Sequence, residues 1–181
     1  LVLNEYLDSE VIQCLDLGTG TGAIALALAS EKAGWKIDAI DFSVESVQLA
    51  QLNAKKCQLN HVKIFQSDWF SNIDNDKKYD LIISNPPYID AEDKHLTQGD
   101  VRYEPESALV AQDNGLADIR HIADNARRFL NSKGQLFIEH GFEQGRLVRD
   151  VLKTFAYENV QTKQDLNGHD RITSATWIHK T

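Results

Sequence analysis

The stretch Val11-Ile12-Gln13-Cys14-Leu15-Asp16-Leu17-Gly18-Thr19-Gly20-Thr21-Gly22-Ala23-Ile24-Ala25-Leu26-Ala27-Leu28-Ala29 decides the fold. Residues 11–16 are a short, mostly apolar run of the kind that forms a buried strand, and the alanine-leucine run after Gly22 is a helix. Three alternating glycines join the two. Glycine takes φ values other residues avoid and lets a ligand approach the backbone closely. The helix that follows points its free N–H groups and positive dipole end at whatever occupies the turn, which favours a carboxylate or phosphate. The same residues also suit a tight strand-to-helix turn that binds nothing. The neighbouring motifs decide between the two.

A second strand is expected at 36–41 and ends on Asp41, 23 positions after Gly18. An acid at that distance can accept hydrogen bonds from ribose hydroxyls. It could also merely precede the next helix, which Ser43 caps and whose inward stripe is Val44, Val47, Ala50 and Ala54, but the joint spacing with the glycine turn favours the nucleoside reading. A third strand, 62–66, runs into Ser67-Asp68-Trp69-Phe70. There Asp68 can accept from an exocyclic amine and Trp69 can cover a purine face. Core packing explains Trp69 and Phe70 just as well.

The strand Tyr79-Asp80-Leu81-Ile82-Ile83 leads into Ser84-Asn85-Pro86-Pro87-Tyr88. Two prolines end the strand, because neither donates to a ladder and each fixes its own φ. They hold a side-chain amide, two carbonyls and an aromatic ring at a strand's carboxyl end, where ligands sit in open α/β sheets. Asn-Pro-Pro is ordinary turn chemistry too. Residues 89–114 show little pattern, and a loop of that length in a compact domain is usually functional. A helix is expected from Leu116 to Leu130, ended by Asn131-Ser132-Lys133-Gly134, and then a buried strand at 135–140. Leu147, Val148, Val151, Leu152 and Phe155 mark a last helix. Strands near 157–163 and 171–178 follow, separated by Asp165-Leu166-Asn167-Gly168. The first ten residues read as the end of a helix. This alternation gives a Rossmann-like, doubly wound α/β fold, with a mostly parallel seven-stranded sheet and an antiparallel strand in the C-terminal hairpin.

A length of 181 residues fits one domain. The net charge of −8 provides no basic footprint, which disfavours a long duplex partner. Cys14 and Cys57 have no Cys/His partner at ligand spacing, so no metal site is expected, and they read as reduced core residues of a cytoplasmic protein. No run of eighteen apolar residues predicts a membrane span. The chain lacks methionine and starts inside Leu1-Val2-Leu3, which predicts that residues have been removed upstream.

Taken together, Asp16-Leu-Gly-Thr-Gly-Thr-Gly22, Asp41, Asp68-Trp69-Phe70 and Asn85-Pro-Pro-Tyr88 resemble the class I S-adenosylmethionine-dependent methyltransferases. More narrowly, the chain resembles the HemK/PrmC family, which methylates a glutamine side-chain nitrogen in peptide chain release factors. Arg102-Tyr103-Glu104-Pro105-Glu106-Ser107-Ala108-Leu109, Ile138-Glu139-His140-Gly141 and Gly168-His169-Asp170-Arg171 match that family as well. The resemblance implies that residues 1–181 are the S-adenosylmethionine-dependent methyltransferase domain, without the family's helical N-terminal domain. It implies that Gly18, Thr19, Gly20, Thr21 and Gly22 hold the methionine end of the cofactor. Asp41 would bind the ribose, and Asp68 and Trp69 would flank the adenine. Asn85 would bridge cofactor and substrate, and the release factor would be the partner, with neither membrane nor direct nucleic-acid binding.

Chemistry agrees with that assignment. Displacement at a methyl sulfonium needs alignment and a free nitrogen lone pair, which an amide delocalises into its carbonyl. The Asn85 side-chain oxygen and the Pro86 carbonyl can accept the two N–H groups and fix the amide's rotation. Pro87 completes the turn, and Tyr88 can stack on the amide plane. S-adenosylhomocysteine would be the product. His140 and Glu139, at the end of a buried strand, read as structural.

Three other activities fit parts of the pattern. An adenine-N6 methyltransferase would use the same turn, against the charge. The glutamine methyltransferases of a large-subunit ribosomal protein share NPPY. A nicotinamide dehydrogenase would use Gly18-x-Gly20-x-x-Ala23 and Asp41 but give no role to NPPY. A non-enzymatic binding module is the plainest alternative.

Overall fold

Residues 2–6, 11–87, 89–90, 110–111 and 115–179 are described by a computed structural model. After a 3-10 turn at Val2–Glu5, the chain alternates β1 (Gln13–Leu17), α1 (Ala23–Glu31), β2 (Lys36–Asp41), α2 (Val44–Lys56), β3 (Lys63–Gln66) and β4 (Tyr79–Ser84). Then come β5 (Ile89–Asp90), β6 (Val110–Ala111), α3 (Ala117–Phe129), β7 (Leu130–Glu139), α4 (Gly145–Thr154), β8 (Glu158–Gln164) and β9 (Asp170–Thr176).

Seven strands form one sheet in the order β3-β2-β1-β4-β7-β9-β8, and β5 and β6 pair separately. The pairs among β3, β2, β1, β4 and β7 are parallel, while β9 runs antiparallel to both of its neighbours. This is the doubly wound, mostly parallel sheet expected. From β1 the order runs outward through β2 on one side and β4 on the other. Its switch point therefore lies at the carboxyl ends of β1 and β4, where such folds bind ligands. The ends align closely: Leu17 pairs with Ile40 on one side and with Ser84 on the other.

Period-two alternation divides the core between the two faces of the sheet. Leu15, Leu17, Ile82, Leu136 and Ile138 meet α3 and α4 on one face. Cys14, Ile37, Leu81, Ile83 and Phe137 meet α1 and Trp35 on the other. Both faces are covered, which is why these strands read as continuous apolar runs. Asp38 is the buried exception on β2. It accepts the Tyr79 hydroxyl at 2.8 Å and pairs with Lys77 at 2.9 Å.

Several sequence expectations change in detail. The strand after α3 begins at Leu130 and runs through Asn131-Ser132-Lys133-Gly134, the residues expected to end a helix. A bulge accommodates them. Lys133 sits at φ 69°, and a β-carbon on Gly134 would lie 2.9 Å from the Asn131 carbonyl oxygen and 3.2 Å from that of Tyr79. The Trp177 main chain pairs with Lys133 and Gly134 across this bulge. Ser43 caps α2 by accepting the Ser46 N–H, but Val44 and Leu147 are exposed and lie outside the buried stripes, which are Val47, Ala50 and Ala54 on α2 and Val148, Val151 and Leu152 on α4. Cys57, expected in the core, is exposed at the end of α2, whereas Cys14 is buried. Val2–Glu5 form a 3-10 turn where the end of a helix is expected, and residues 1 and 7–10 lie outside the described residues. Tyr88 and the motif 102–109 lie outside the described residues. Among the described residues, no helix is long and apolar enough to cross a membrane.

Candidate active site

Three turns meet at the carboxyl edge of the sheet. In the first, Gly18, Gly20 and Gly22 have φ of 71°, 55° and 85°, so glycine is required to follow this path without strain. The Thr19 N–H bonds the Ile40 carbonyl at 2.8 Å, and the Gly22 N–H bonds the Thr19 carbonyl at 2.9 Å. The Thr21 carbonyl accepts from the Asn53 side chain at 2.9 Å, tying the turn to α2. On Gly20 a β-carbon would meet nothing within 4 Å, so that side of the turn is open.

Asp16 lies beneath this turn, almost completely buried. One carboxylate oxygen accepts the Thr19 hydroxyl at 2.6 Å and the Ala25 N–H at 3.2 Å. The other, Oδ1, is buried without a hydrogen-bond partner among the described residues. Burial pushes its pKa up to about 6. The bonds from Thr19 and Ala25 offset part of that rise, and the Asp41 charge adds to it. A buried carboxylate with a spare oxygen is a receptor for a donor, best of all a cationic one.

Asp41 ends β2 with both oxygens engaged. Oδ2 accepts the Gly20 N–H at 2.8 Å, and Oδ1 accepts the Ser43 N–H at 2.9 Å. Each oxygen keeps a further acceptor site, suited to a vicinal diol. Phe42 follows, 71 % exposed, an apolar face beside the acid that sequence reading passed over. The Ser67 N–H bonds the Asp41 carbonyl at 3.0 Å, which brings the second turn, Asp68-Trp69, to the same place. Asp68 is exposed and Trp69 half-buried. The indole lies 4.0 Å from where a β-carbon on Gly18 would sit. Phe70 stacks on Phe129 in the core at 5.0 Å. Of the two readings of the aromatic pair, Phe70 takes core packing, and half-buried Trp69 packs on the margin of the same core while its indole reaches the glycine turn.

The third turn follows β4. Ser84 is buried and donates to the Leu17 carbonyl at 2.9 Å. Asn85 is exposed, Pro86 buried and Pro87 half-buried, so the buried ring of Pro86 anchors the chain and leaves the Asn85 amide free to reach outward. The glycine turn thus has Asp41, Asp68 and Trp69 on one flank and Asn85 and Pro86 on the other. A groove of about 500 Å³ lined by Lys36, Lys63, Lys77 and His61 lies at the opposite edge and holds none of the expected site residues.

His140 has no place in this arrangement. It is fully buried, with Nδ1 on the Gly141 carbonyl at 2.9 Å and Nε2 on the Thr173 hydroxyl at 2.8 Å. Burial lowers its pKa, so it stays neutral. Asp170 and Arg171 of the GHDR stretch shape the hairpin. Arg149 lies 3.9 Å from Asp170, and Arg171 lies 3.7 Å from Asp165.

The methyltransferase small domain model matches residues 1–101. The release factor glutamine methyltransferase of Shewanella oneidensis is 51 % identical over 176 residues, 97 % of this chain and 61 % of that protein. The release factor glutamine methyltransferase of Haemophilus influenzae is 53 % identical over 171 residues, 90 % of this chain and 58 % of that protein. The chain therefore spans about three fifths of the length of these curated relatives. Among solved structures, a methyltransferase from Pyrococcus furiosus superposes with a TM-score of 0.73 at 16 % identity, over 98 % of this chain and 80 % of that one. The Thermus thermophilus 16S rRNA N2 G1207 methyltransferase, solved with AdoMet and guanosine, gives 0.68 at 18 % identity, over 97 % of this chain and 40 % of that one. At such identities the structures speak for the fold alone.

Proposed function

The chain belongs to the methyltransferase small domain family, and from that premise we propose that residues 1–181 are the catalytic domain of a release factor glutamine methyltransferase. The observation that carries the reading is the Leu17–Ser84 register, which sets Asn85 beside the glycine turn. Relatives about half identical over nearly the whole chain support the choice of substrate.

S-adenosylmethionine fits the donor set, and when bound it supplies a methyl group on a positively charged sulfur. Asp16 Oδ1 and the N–H groups around Gly18, Thr19, Gly20, Thr21 and Gly22 would hold its amino acid end. Asp41 would take the ribose hydroxyls, Asp68 the exocyclic amine, and Trp69 and Phe42 the two sides of the base. Asn85 Oδ1 and the Pro86 carbonyl would accept the two N–H groups of a glutamine amide. Holding both hydrogens in the amide plane would fix the nitrogen's lone-pair direction perpendicular to that plane, ready for a methyl donor. Pro87 stiffens the turn, and Tyr88 would cover the amide. The nitrogen releases a proton to solvent once it has gained the methyl, so no buried base is needed. His140, neutral and satisfied, is left out.

The net charge of −8 favours a protein over a nucleic acid as the methyl acceptor. Release factors work in the cytoplasm, and two unpaired cysteines suit that compartment. The test is mass spectrometry of a release factor, a ribosomal protein and an adenine-containing oligonucleotide, each incubated with the chain and labelled S-adenosylmethionine. Methylation confined to a release factor glutamine is expected, and label on adenine would overturn the reading.

A further inference from the structure

Trp69 holds a conformation that its surroundings impose. Its φ of 45° lies in the left-handed region that few non-glycine residues occupy. Buried Ser67 fixes the main chain there. Its hydroxyl donates to the Trp69 carbonyl at 2.6 Å and accepts the Asn72 N–H at 3.0 Å. Strain kept in place by specific partners points to a use for the residue it orients.

Besides the core against which Trp69 packs, two neighbours place the indole. One is the glycine turn at Gly18. The other is His121 on α3, whose ring centroid lies 6.2 Å from that of Trp69 with the planes at 43°. Phe70 stacks on Phe129 farther along the same helix, so the turn is held against α3 at two points. His121 is exposed and plays no part in the core. Asp118, one helical turn earlier, is held above the usual carboxylate range by partial burial, with smaller opposing influences from nearby His121 and Asp68.

We infer that His121 is a positioning residue for the nucleoside: its imidazole backs the Trp69 indole and keeps that ring upright against the glycine turn, as one wall of the cofactor pocket. The inference rests on the cofactor reading above but assigns a residue that no motif includes. Without the imidazole, the half-buried indole has an open side toward solvent and more orientations to lose on binding. An aromatic contact at this distance is modest, so the expected effect is a several-fold change in affinity.

The test is calorimetric titration with S-adenosylhomocysteine in the wild type, His121→Ala, His121→Gln, His121→Phe, Trp69→Ala and the double variant His121→Ala/Trp69→Ala. Both His121→Ala and His121→Gln should weaken binding about three- to tenfold. His121→Phe, which restores a ring, should stay within about twofold of wild type. In the Trp69→Ala background, His121→Ala should have no further effect, because the ring it supports is gone. With a release factor as acceptor, His121→Ala should raise KM for S-adenosylmethionine and leave kcat unchanged. Equal losses in both backgrounds, or wild-type affinity in His121→Ala, overturn the inference alone. A wild-type chain with no affinity for the nucleoside overturns the cofactor reading and this inference together.

Discussion

Ser84 donates its hydroxyl to the Leu17 carbonyl at 2.9 Å, inside the sheet and beyond the reach of water. The bond joins the ends of β1 and β4 one residue before Gly18 and one residue before Asn85. The glycine turn and the Asn85-Pro86-Pro87 turn are therefore parts of one rigid edge.

That rigidity makes Asn85 the sharpest point of test. Asn85→Ala removes an acceptor from an exposed side chain and leaves the anchored Pro86 in place, so the fold should persist. Turnover should fall by about a hundredfold or more, as when other positioning groups are removed. Affinity for S-adenosylhomocysteine should change far less. Asn85→Asp should also be slow, because a carboxylate beside the sulfonium binds the ground state more tightly than the reaction needs. Near-normal turnover in either variant would show that the amide is dispensable.

Asp41 is a second test, with two consequences to separate. Its carboxylate organises the Gly20 and Ser43 N–H groups before any ligand arrives. Losing a charge-assisted hydrogen bond costs about 1.5–3 kcal/mol, or roughly tenfold to a hundredfold in affinity. Asp41→Ala should therefore weaken S-adenosylmethionine by at least that much, because the turn loosens as the diol loses its acceptor. Asp41→Asn keeps one carbonyl oxygen and should fall between. Calorimetry showing unchanged affinity with an intact fold would remove Asp41 from the ribose.

Asp16 makes a prediction about pH. Its folded pKa of about 6 lies above the ordinary 3.8, chiefly through burial. A group raised in this way stabilises the fold below its unfolded pKa, and that contribution is lost as pH rises through 6. At about 1.4 kcal/mol per pH unit, the difference amounts to roughly 3 kcal/mol. The free chain should lose stability between pH 4 and pH 7, and Asp16→Asn should flatten that slope in urea denaturation. Binding runs the opposite way. If Oδ1 meets the cofactor's ammonium, affinity should fall as pH drops below 6, and Asp16→Asn should abolish that dependence. A wild-type affinity flat from pH 5 to pH 8 would exclude the ionised Asp16 from the contact.

Much of this molecule was legible because period and punctuation agree. Glycines at 18, 20 and 22, prolines at 86 and 87, and runs such as Leu81-Ile82-Ile83 left little choice of strand, turn or helix. Where local signals conflicted, tertiary contact decided. Asn131-Ser132-Lys133-Gly134 resembles a helix stop, yet Trp177 pairs with it and makes it strand. That Asp41 and the Asp68-Trp69 turn both fall at strand ends on one edge could be read from spacing. The partner of Trp69 could not, since His121 is brought there only by the packing of α3. Asp16 was visible inside its motif, but only burial reveals an oxygen that accepts nothing among the described residues.

The substrate gives the last prediction. A glutamine side chain at Asn85-Pro86-Pro87-Tyr88 presents a small planar amide, which buries too little area to supply useful affinity by itself. Discrimination between one glutamine and all others must come from contacts beyond the amide. Free glutamine and short peptides should be very poor acceptors, and a folded release factor a good one. If those outer contacts serve only to gather the substrate, their loss appears in kcat/KM with kcat preserved. If they also press the amide into place, kcat falls with them. The comparison is between a release factor and a peptide that copies its glutamine loop, measured at saturating S-adenosylmethionine. Equal kcat/KM for peptide and protein would mean that the NPPY turn and its immediate neighbours recognise the loop alone, and that distant docking contributes nothing.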